Sequence, residues 1–330
     1  MTATAHAVLW GRLNWHPAVE AWSGCSDGPV EPPEHIEILN QSKTSATYRL
    51  VGGNGTSGSV VARRSLASGA TIERTVHERI LPALPITAPQ YRGFHADGKE
   101  HGWIFLEAVG DERYSAADPA HRELAARWTA KLHTAATALA AGASLPDAGP
   151  SRYLAHLRAA RQIIRDNLSN PRFTGRDVRM LERVTADLDA LDEVWADIEG
   201  ACSGLPTTLS HGDYRLRHAL VRHTASRDEL LLIAWDAAGW GVPTVDLTHI
   251  DLATYLSVVE PSWPAVQLAD LERLAAAGHV FGHLAAIRAL SLGLAGQVTH
   301  ELRPLLATLE SLHGGLSRAI DTLEVAHAVS

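Results

Sequence analysis

Between Leu209 and Leu247 the chain carries a dense pattern that few folds can accommodate. Its first half places His211, Gly212 and Asp213 after an apolar residue, and a polar loop then leads into Ala219-Leu220-Val221. Its second half is a short apolar run, Leu230 to Ile233, ending in Trp235 and Asp236. A turn rich in Gly and Pro follows (Gly239, Gly241, Pro243), then Asp246-Leu247. Short apolar runs bounded by such turn residues predict strands. Asp213 and Asp236 are therefore expected on adjacent loop–strand units. That arrangement suits phosphoryl transfer, in which one carboxylate orients the attacking hydroxyl and another holds the magnesium that bridges the nucleotide phosphates.

The flanking sequence divides into a strand-rich part and a helical part. Ile36 to Leu39, Ala46 to Val51 and Ser59 to Arg64 read as three strands, with Gly52 to Gly58 as a hairpin turn. Side chains alternate along a strand, so Arg63 and Arg64 point to opposite faces. Thr71 to Leu84 reads as a helix with apolar residues at Ile72, Val76, Ile80 and Leu84, and Pro85 to Pro89 ends it. Two carboxylates, Glu73 and Glu78, lie within that helix. Strands near Tyr91 to Phe94 and Gly102 to Glu107 follow. After Asp118-Pro119 the periodicity turns helical, at Ala120 to Ala141, Tyr153 to Leu168, Asp177 to Ile198 and Pro264 to Ala328. The expected organisation is a sheet-rich lobe ending near Glu107 and a helical lobe over 108–330, with a cleft between them faced by Arg63 and Asp213. Residues 1–33 form an N-terminal extension with Trp10, Trp15 and Trp22. Trp15 and Trp22, seven apart, share a face if the segment is helical. It is expected to pack onto the body, with partner docking or substrate covering as the alternative.

These motifs resemble the aminoglycoside phosphotransferase family, which has a protein-kinase-like fold. His211-Gly212-Asp213, Tyr214-Arg215-Leu216, Gly241-x-Pro243 and Asp246-Leu247 all match the family pattern. The resemblance implies an α+β, bilobal kinase-like chain that uses ATP or GTP with magnesium. It makes Asp213 the base or orienting group, with His211 and Asp246 bracing its loop and Arg215 among the catalytic-loop residues. Arg63 takes the place of the cation that grips the nucleotide phosphates. Glu78, in its Glu-Arg-Ile-Leu spelling, is the expected ion-pair partner of Arg63, and Glu73 is the alternative. Ser42, Thr44 and Ser45 occupy the loop over the phosphates, and Glu107 with Val109 marks the adenine hinge. His133, in a Leu-His pair, is expected to pack beneath the catalytic loop. Two positions depart from the family. His218 stands where the family has a metal-binding Asn, and Ala234 where it has the principal metal-binding Asp. Asp236, two residues on along a strand end, points to the same face as Ala234. Asp236 and His218 are therefore the candidate metal ligands.

Composition narrows the partners. A formal charge of −8 lacks the basic footprint of a dedicated nucleic-acid binder. Cys25 and Cys202 are the only cysteines, so there is neither a disulfide framework nor zinc-finger spacing. Met1 to Val8 lacks a secretory pattern, and Leu284 to Gly296 is interrupted by Arg288 and too short to span a bilayer. A cytoplasmic protein without membrane or nucleic-acid partners is expected. Three activities fit the residues. The first is phosphoryl transfer to a small metabolite, antibiotic or peptide hydroxyl. The second is a kinase-like binding subunit beside a partner enzyme. The third is metal-free acid–base chemistry through Asp213, His211 and His218.

Overall fold

The computed structural model describes residues 7–25, 31–42, 44–52, 59–110, 112–139, 144–213, 218–295 and 299–328. The expected turn at Gly52 to Gly58 lies largely outside them, as do Tyr214, Arg215 and Leu216. In chain order the first elements are Ala7–Trp10 (β1), Pro17–Ser23 (α1), His35–Gln41 (β2), Ala46–Val51 (β3) and Val60–Leu66 (β4). Ala67–Thr75 (α2), Tyr91–Asp97 (β5), His101–Glu107 (β6) and Pro119–Ala136 (α3) follow. Then come Pro150–Asn167 (α4), Gly175–Glu193 (α5), Trp195–Ala201 (α6), Thr208–Ser210 (β7), Ala219–His223 (β8) and Asp228–Leu232 (β9). Gly239–Gly241 (β10), Leu252–Val259 (α7), Leu268–Ser291 (α8) and Thr299–Ala328 (α9) complete the order. The chain is α+β, with strands concentrated early and helices late.

The backbone groups into two compact units that interleave along the sequence. The first comprises Met1–Leu124, Ala141–Ser144 and Arg215–Ala238; the second comprises Ala125–Ala140, Leu145–Tyr214 and Gly239–Ser330. The first unit is built on an antiparallel six-stranded sheet in the order β1-β2-β3-β4-β6-β5. Alternation sets its faces: Tyr48 and Leu50 of β3 and Val60 and Ala62 of β4 are buried, while the residues between them are partly exposed. α1 closes one side of this core with Ala18, Val19 and Ala21. Its first turn is fixed by Pro17 and by His16, whose Nδ1 accepts the Ala18 N–H at 3.2 Å. Within the described part of residues 1–33, α1 thus packs onto the sheet. The shared face of Trp15 and Trp22 does not form, because α1 begins only at Pro17: Trp15 is 66% exposed, and Trp22 packs on Phe105.

The helix expected over Thr71 to Leu84 starts earlier and changes pitch. α2 ends at Thr75, a π turn covers Val76–Ile80, and a 3-10 turn covers Leu81–Ala83. Glu73 falls on the buried stripe with Val76, His77 and Ile80, at spacings of three, four and seven. Glu78 falls between the buried positions.

In the second unit α4 lies on α8 through Tyr153 and Phe281, whose rings stack at 4.3 Å. The helix expected over Asp177 to Ile198 is divided at Val194 into α5 and α6. α5 starts in a capping box in which Thr174 and Asp177 satisfy each other's backbone N–H. α8 runs against a 3-10 turn at Val245–Leu247. Gly278 is the point of closest approach: a Cβ there would overlap the Thr244 carbonyl and crowd the Thr248 methyl at 2.9 Å. The obstacle is backbone, so it cannot rotate away. Gly278→Ala should cost about 1–3 kcal/mol of stability, read by chemical denaturation; an unchanged midpoint would contradict the packing.

Candidate active site

Within the first unit three charged side chains meet. Arg63, on β4, pairs through Nη1 with Glu73 of α2 and through Nη2 with Asp236, the latter at 2.9 Å. Glu73 is fully buried and Arg63 nearly so, whereas the Asp236 side chain is 35% exposed. Burial pushes the Glu73 carboxyl above its usual range, against the pull of Arg63. Glu78 does not join this group. It accepts from Arg74 Nε at 2.9 Å and from the Tyr91 hydroxyl at 2.7 Å. The expected Arg63–Glu78 pair is therefore replaced by Arg63–Glu73. The buried face of α2 and its π turn decide the matter, and the local spelling around Glu78 does not report it.

Asp236 reaches Arg63 because the chain leaves the strand before it. β9 ends at Leu232, and Ala234 adopts left-handed backbone angles, φ 67° and ψ 58°. A 3-10 turn over Trp235–Ala237 follows, burying Trp235 completely. The strand-end alternation expected for Ala234 and Asp236 thus fails, and Asp236 is delivered by a turn. Gly69 of α2 makes room for it, since a Cβ there would lie 2.9 Å from the Asp236 Cβ. His218 stands at the entry to β8, where its carbonyl accepts the Ile233 N–H at 3.0 Å.

The remaining first-unit candidates occupy backbone-organising positions. Ser42 and Ser45 are turned on each other, with their hydroxyls 2.9 Å apart and the Ser42 N–H donating to the Ser45 carbonyl at 2.8 Å. Glu107 accepts the Gln90 N–H at 3.1 Å and Arg222 Nη1 at 3.2 Å, and Val109 is buried.

The second unit holds the loop that carries Asp213. Asp246 is buried beneath it and accepts the His211 N–H at 2.7 Å and the Gly212 N–H at 3.2 Å. His133 Nε2 donates to the same carboxylate at 3.3 Å, and its Nδ1 is hydrogen-bonded to the Tyr255 hydroxyl at 2.8 Å. Gly212 turns through φ +73°, a conformation that glycine adopts without strain. The Asp213 N–H then donates to His211 Nδ1 at 3.4 Å. Burial would raise the Asp246 carboxyl, but His133 and His211 outweigh it and hold it below the usual range. Tyr255 was invisible in the sequence, because nothing near α7 marks a hydroxyl aimed at a histidine on α3.

The sequence matches the family described as "Phosphotransferase enzyme family" over residues 35–290. The chain belongs to that phosphotransferase family. No curated protein matches it. Solved structures share its fold at low identity. A choline kinase from Cryptosporidium parvum Iowa II is 13% identical with a TM-score of 0.57, over 87% of this chain and 90% of that one. A spectinomycin phosphotransferase in complex with ADP and spectinomycin is 11% identical with a TM-score of 0.56, over 92% and 96%. The GDP and kanamycin complex of APH(2")-IIia is 15% identical with a TM-score of 0.55, over 97% and 100%.

In this phosphotransferase-family chain the described residues do not fit the magnesium that such transfer ordinarily uses. Magnesium needs oxygen ligands in near-octahedral array. Ala234 offers a buried methyl, and the Asp236 carboxylate is committed to Arg63. Among the described residues no group of three or more His, Cys, Asp or Glu side chains is placed to hold a metal ion.

Two stability tests follow from the geometry. Arg63→Met leaves the buried Glu73 carboxylate unpaired and should cost about 3–5 kcal/mol near neutral pH; adding Glu73→Leu should recover most of it, as urea denaturation would show. Asp246 has a depressed folded pKa, so its stabilisation is present above the unfolded value near pH 4 and is lost as pH falls through the lower folded value. Asp246→Asn should therefore be destabilised at pH 7, with its deficit shrinking below about pH 4. A deficit constant down to the acid transition would contradict the pairing.

Proposed function

We propose that this chain transfers the terminal phosphoryl group of a nucleoside triphosphate to a hydroxyl of a small molecule. The observation that carries this reading is the support of the Asp213 loop: a buried carboxylate, two backbone N–H groups and a histidine are committed to holding it. Such an arrangement is expensive to desolvate and is expected where a side chain must be held in one orientation. In the proposed step Asp213 accepts the acceptor hydroxyl proton as the oxygen attacks the terminal phosphorus. The bond from that phosphorus to the bridging oxygen breaks, and the nucleoside diphosphate leaves with its negative charge. Arg63 is assigned to the nucleotide phosphates, and no step is routed through a metal. The solved relatives with ADP or GDP bound support a nucleotide donor. The spectinomycin, kanamycin and choline named with those relatives support a small-molecule acceptor rather than a peptide one. We place this activity in the cytoplasm; among the described residues no helix is long and apolar enough to cross a membrane.

Ala234 and the Arg63–Asp236 bond favour a second reading. A chain that has lost the principal metal carboxylate serves as a nucleotide- or metabolite-binding subunit, with a partner enzyme performing the chemistry. The two are separated by assaying nucleoside diphosphate release against a panel of hydroxylated acceptors, alongside calorimetric nucleotide binding with and without magnesium. Acceptor-dependent turnover that falls about 10²–10⁴-fold in Asp213→Asn supports transfer. Tight magnesium-independent nucleotide binding with no turnover, unchanged in Asp213→Asn, would overturn transfer in favour of the binding subunit.

A further inference from the structure

The second unit gathers cations beside the catalytic loop, where α4 packs on α8. The two helices run parallel: Tyr153, in the first turn of α4, stacks on Phe281, midway along α8, and Asn170, beyond α4, donates to the Leu294 carbonyl, beyond α8, at 3.5 Å. Phe281 therefore marks the stripe of α8 that faces α4. Arg288, two turns on, falls on the same stripe. On α4, Arg152 and His156 are one turn apart and flank Tyr153, and the Tyr153 and His156 rings lie 5.9 Å from each other. The Arg152 guanidinium lies over the backbone of Gly239, within 2.6 Å of where a Cβ would stand.

Arg288 has too few partners for its burial. Its Nη1 has essentially no exposed surface and makes no hydrogen bond among the described residues. A buried guanidinium N–H left without an acceptor is costly, and guanidinium groups are shaped to receive carboxylate or phosphate oxygens in pairs. Burial, together with the charges of Arg152 and Arg288, holds the nearby His156 imidazole below the ordinary value. The cationic face is also close to the proposed chemistry, since the charges of Asp246 and Asp213 both reach the buried Tyr153 hydroxyl.

We propose that this α4–α8 face is an oxyanion subsite, in which Arg288 and Arg152 bind a carboxylate or phosphate carried by the acceptor while the acceptor's hydroxyl is presented to Asp213. The acceptor class is then a hydroxylated acid or phosphate ester. This deepens the transfer reading and rests on it for the role of the hydroxyl, but the anion binding stands independently.

The test uses the full chain without nucleotide. Inorganic phosphate, glycerate and glycerol are titrated separately while the His156 imidazole signals are followed by nitrogen-15 NMR. Phosphate and glycerate should give saturable shifts, and glycerol, which has the hydroxyls without the carboxylate, should give none. Arg288→Gln should weaken both anions by about tenfold or more, whereas Arg158→Gln, on the exposed face of α4, should leave them unchanged. If Arg288→Gln does not fold, Arg288→Lys keeps the charge without the planar fork and should still weaken glycerate. The glycerate–glycerol contrast in the unaltered protein needs no variant. Equal binding of glycerol and glycerate, absence of a saturable His156 shift, or wild-type affinity in the Arg288 variants would overturn the subsite. Anion binding with no phosphoryl transfer would sink only the transfer reading. Transfer to neutral acceptors with no anion binding would sink only the subsite.

Discussion

The loop that carries Asp213 depends on one buried carboxylate. Asp246 has almost no exposed surface, and stripping water from an ionised carboxyl costs several kcal/mol unless hydrogen bonds replace it. The replacement comes from the His211 and Gly212 N–H groups and from His133, which is itself anchored by Tyr255. Each of these donors is thereby fixed in place. Two consecutive backbone N–H groups can aim at one carboxylate only if the chain turns sharply between His211 and Asp213, and the left-handed Gly212 provides that turn. The direction in which Asp213 leaves the loop is a consequence of satisfying Asp246.

The first unit solves a related problem with the opposite sign of risk. The Glu73 side chain has no exposed surface, and Arg63 is the charge that makes this tolerable. Asp236 adds a second carboxylate to the same guanidinium, but from a partly exposed position where solvent supports it as well. Placing it there requires Ala234 to adopt a conformation that costs a residue with a Cβ about 1–2 kcal/mol. The local strain and the ion pair therefore belong together: the same turn of chain that holds Ala234 in the left-handed region delivers the Asp236 carboxylate to Arg63.

What could be read from the sequence was what lies close together along it. The alternation in β3, the turn residues after Asp236 and the spelling of the His211 to Asp246 segment are local, and they located the sheet and the loop braced by Asp246. The partner of Arg63 was harder to read, because Glu73 and Glu78 are distinguished only by helix phase and by a π turn that starts at Val76. The position of Asp236 was misread because strand alternation was extended past Leu232, where the strand stops. Tyr255, and the alignment of Arg288 with α4, depend on which helices pack together, and no single segment encodes that.

The interleaving of the two units along the chain bears on how the protein is made. The Arg63–Asp236 bond spans 173 residues of sequence, and the strands β8 and β9 belong to the first unit although two segments of the second precede them. During synthesis the early sheet emerges without the segment that completes its charge cluster, and Glu73 must wait with only Arg63 for company. Neither unit can close vectorially behind the ribosome. A nascent chain stopped short of Ala238 would hold an unfinished first unit, so assembly is governed by late, long-range closure rather than by folding one unit after the other.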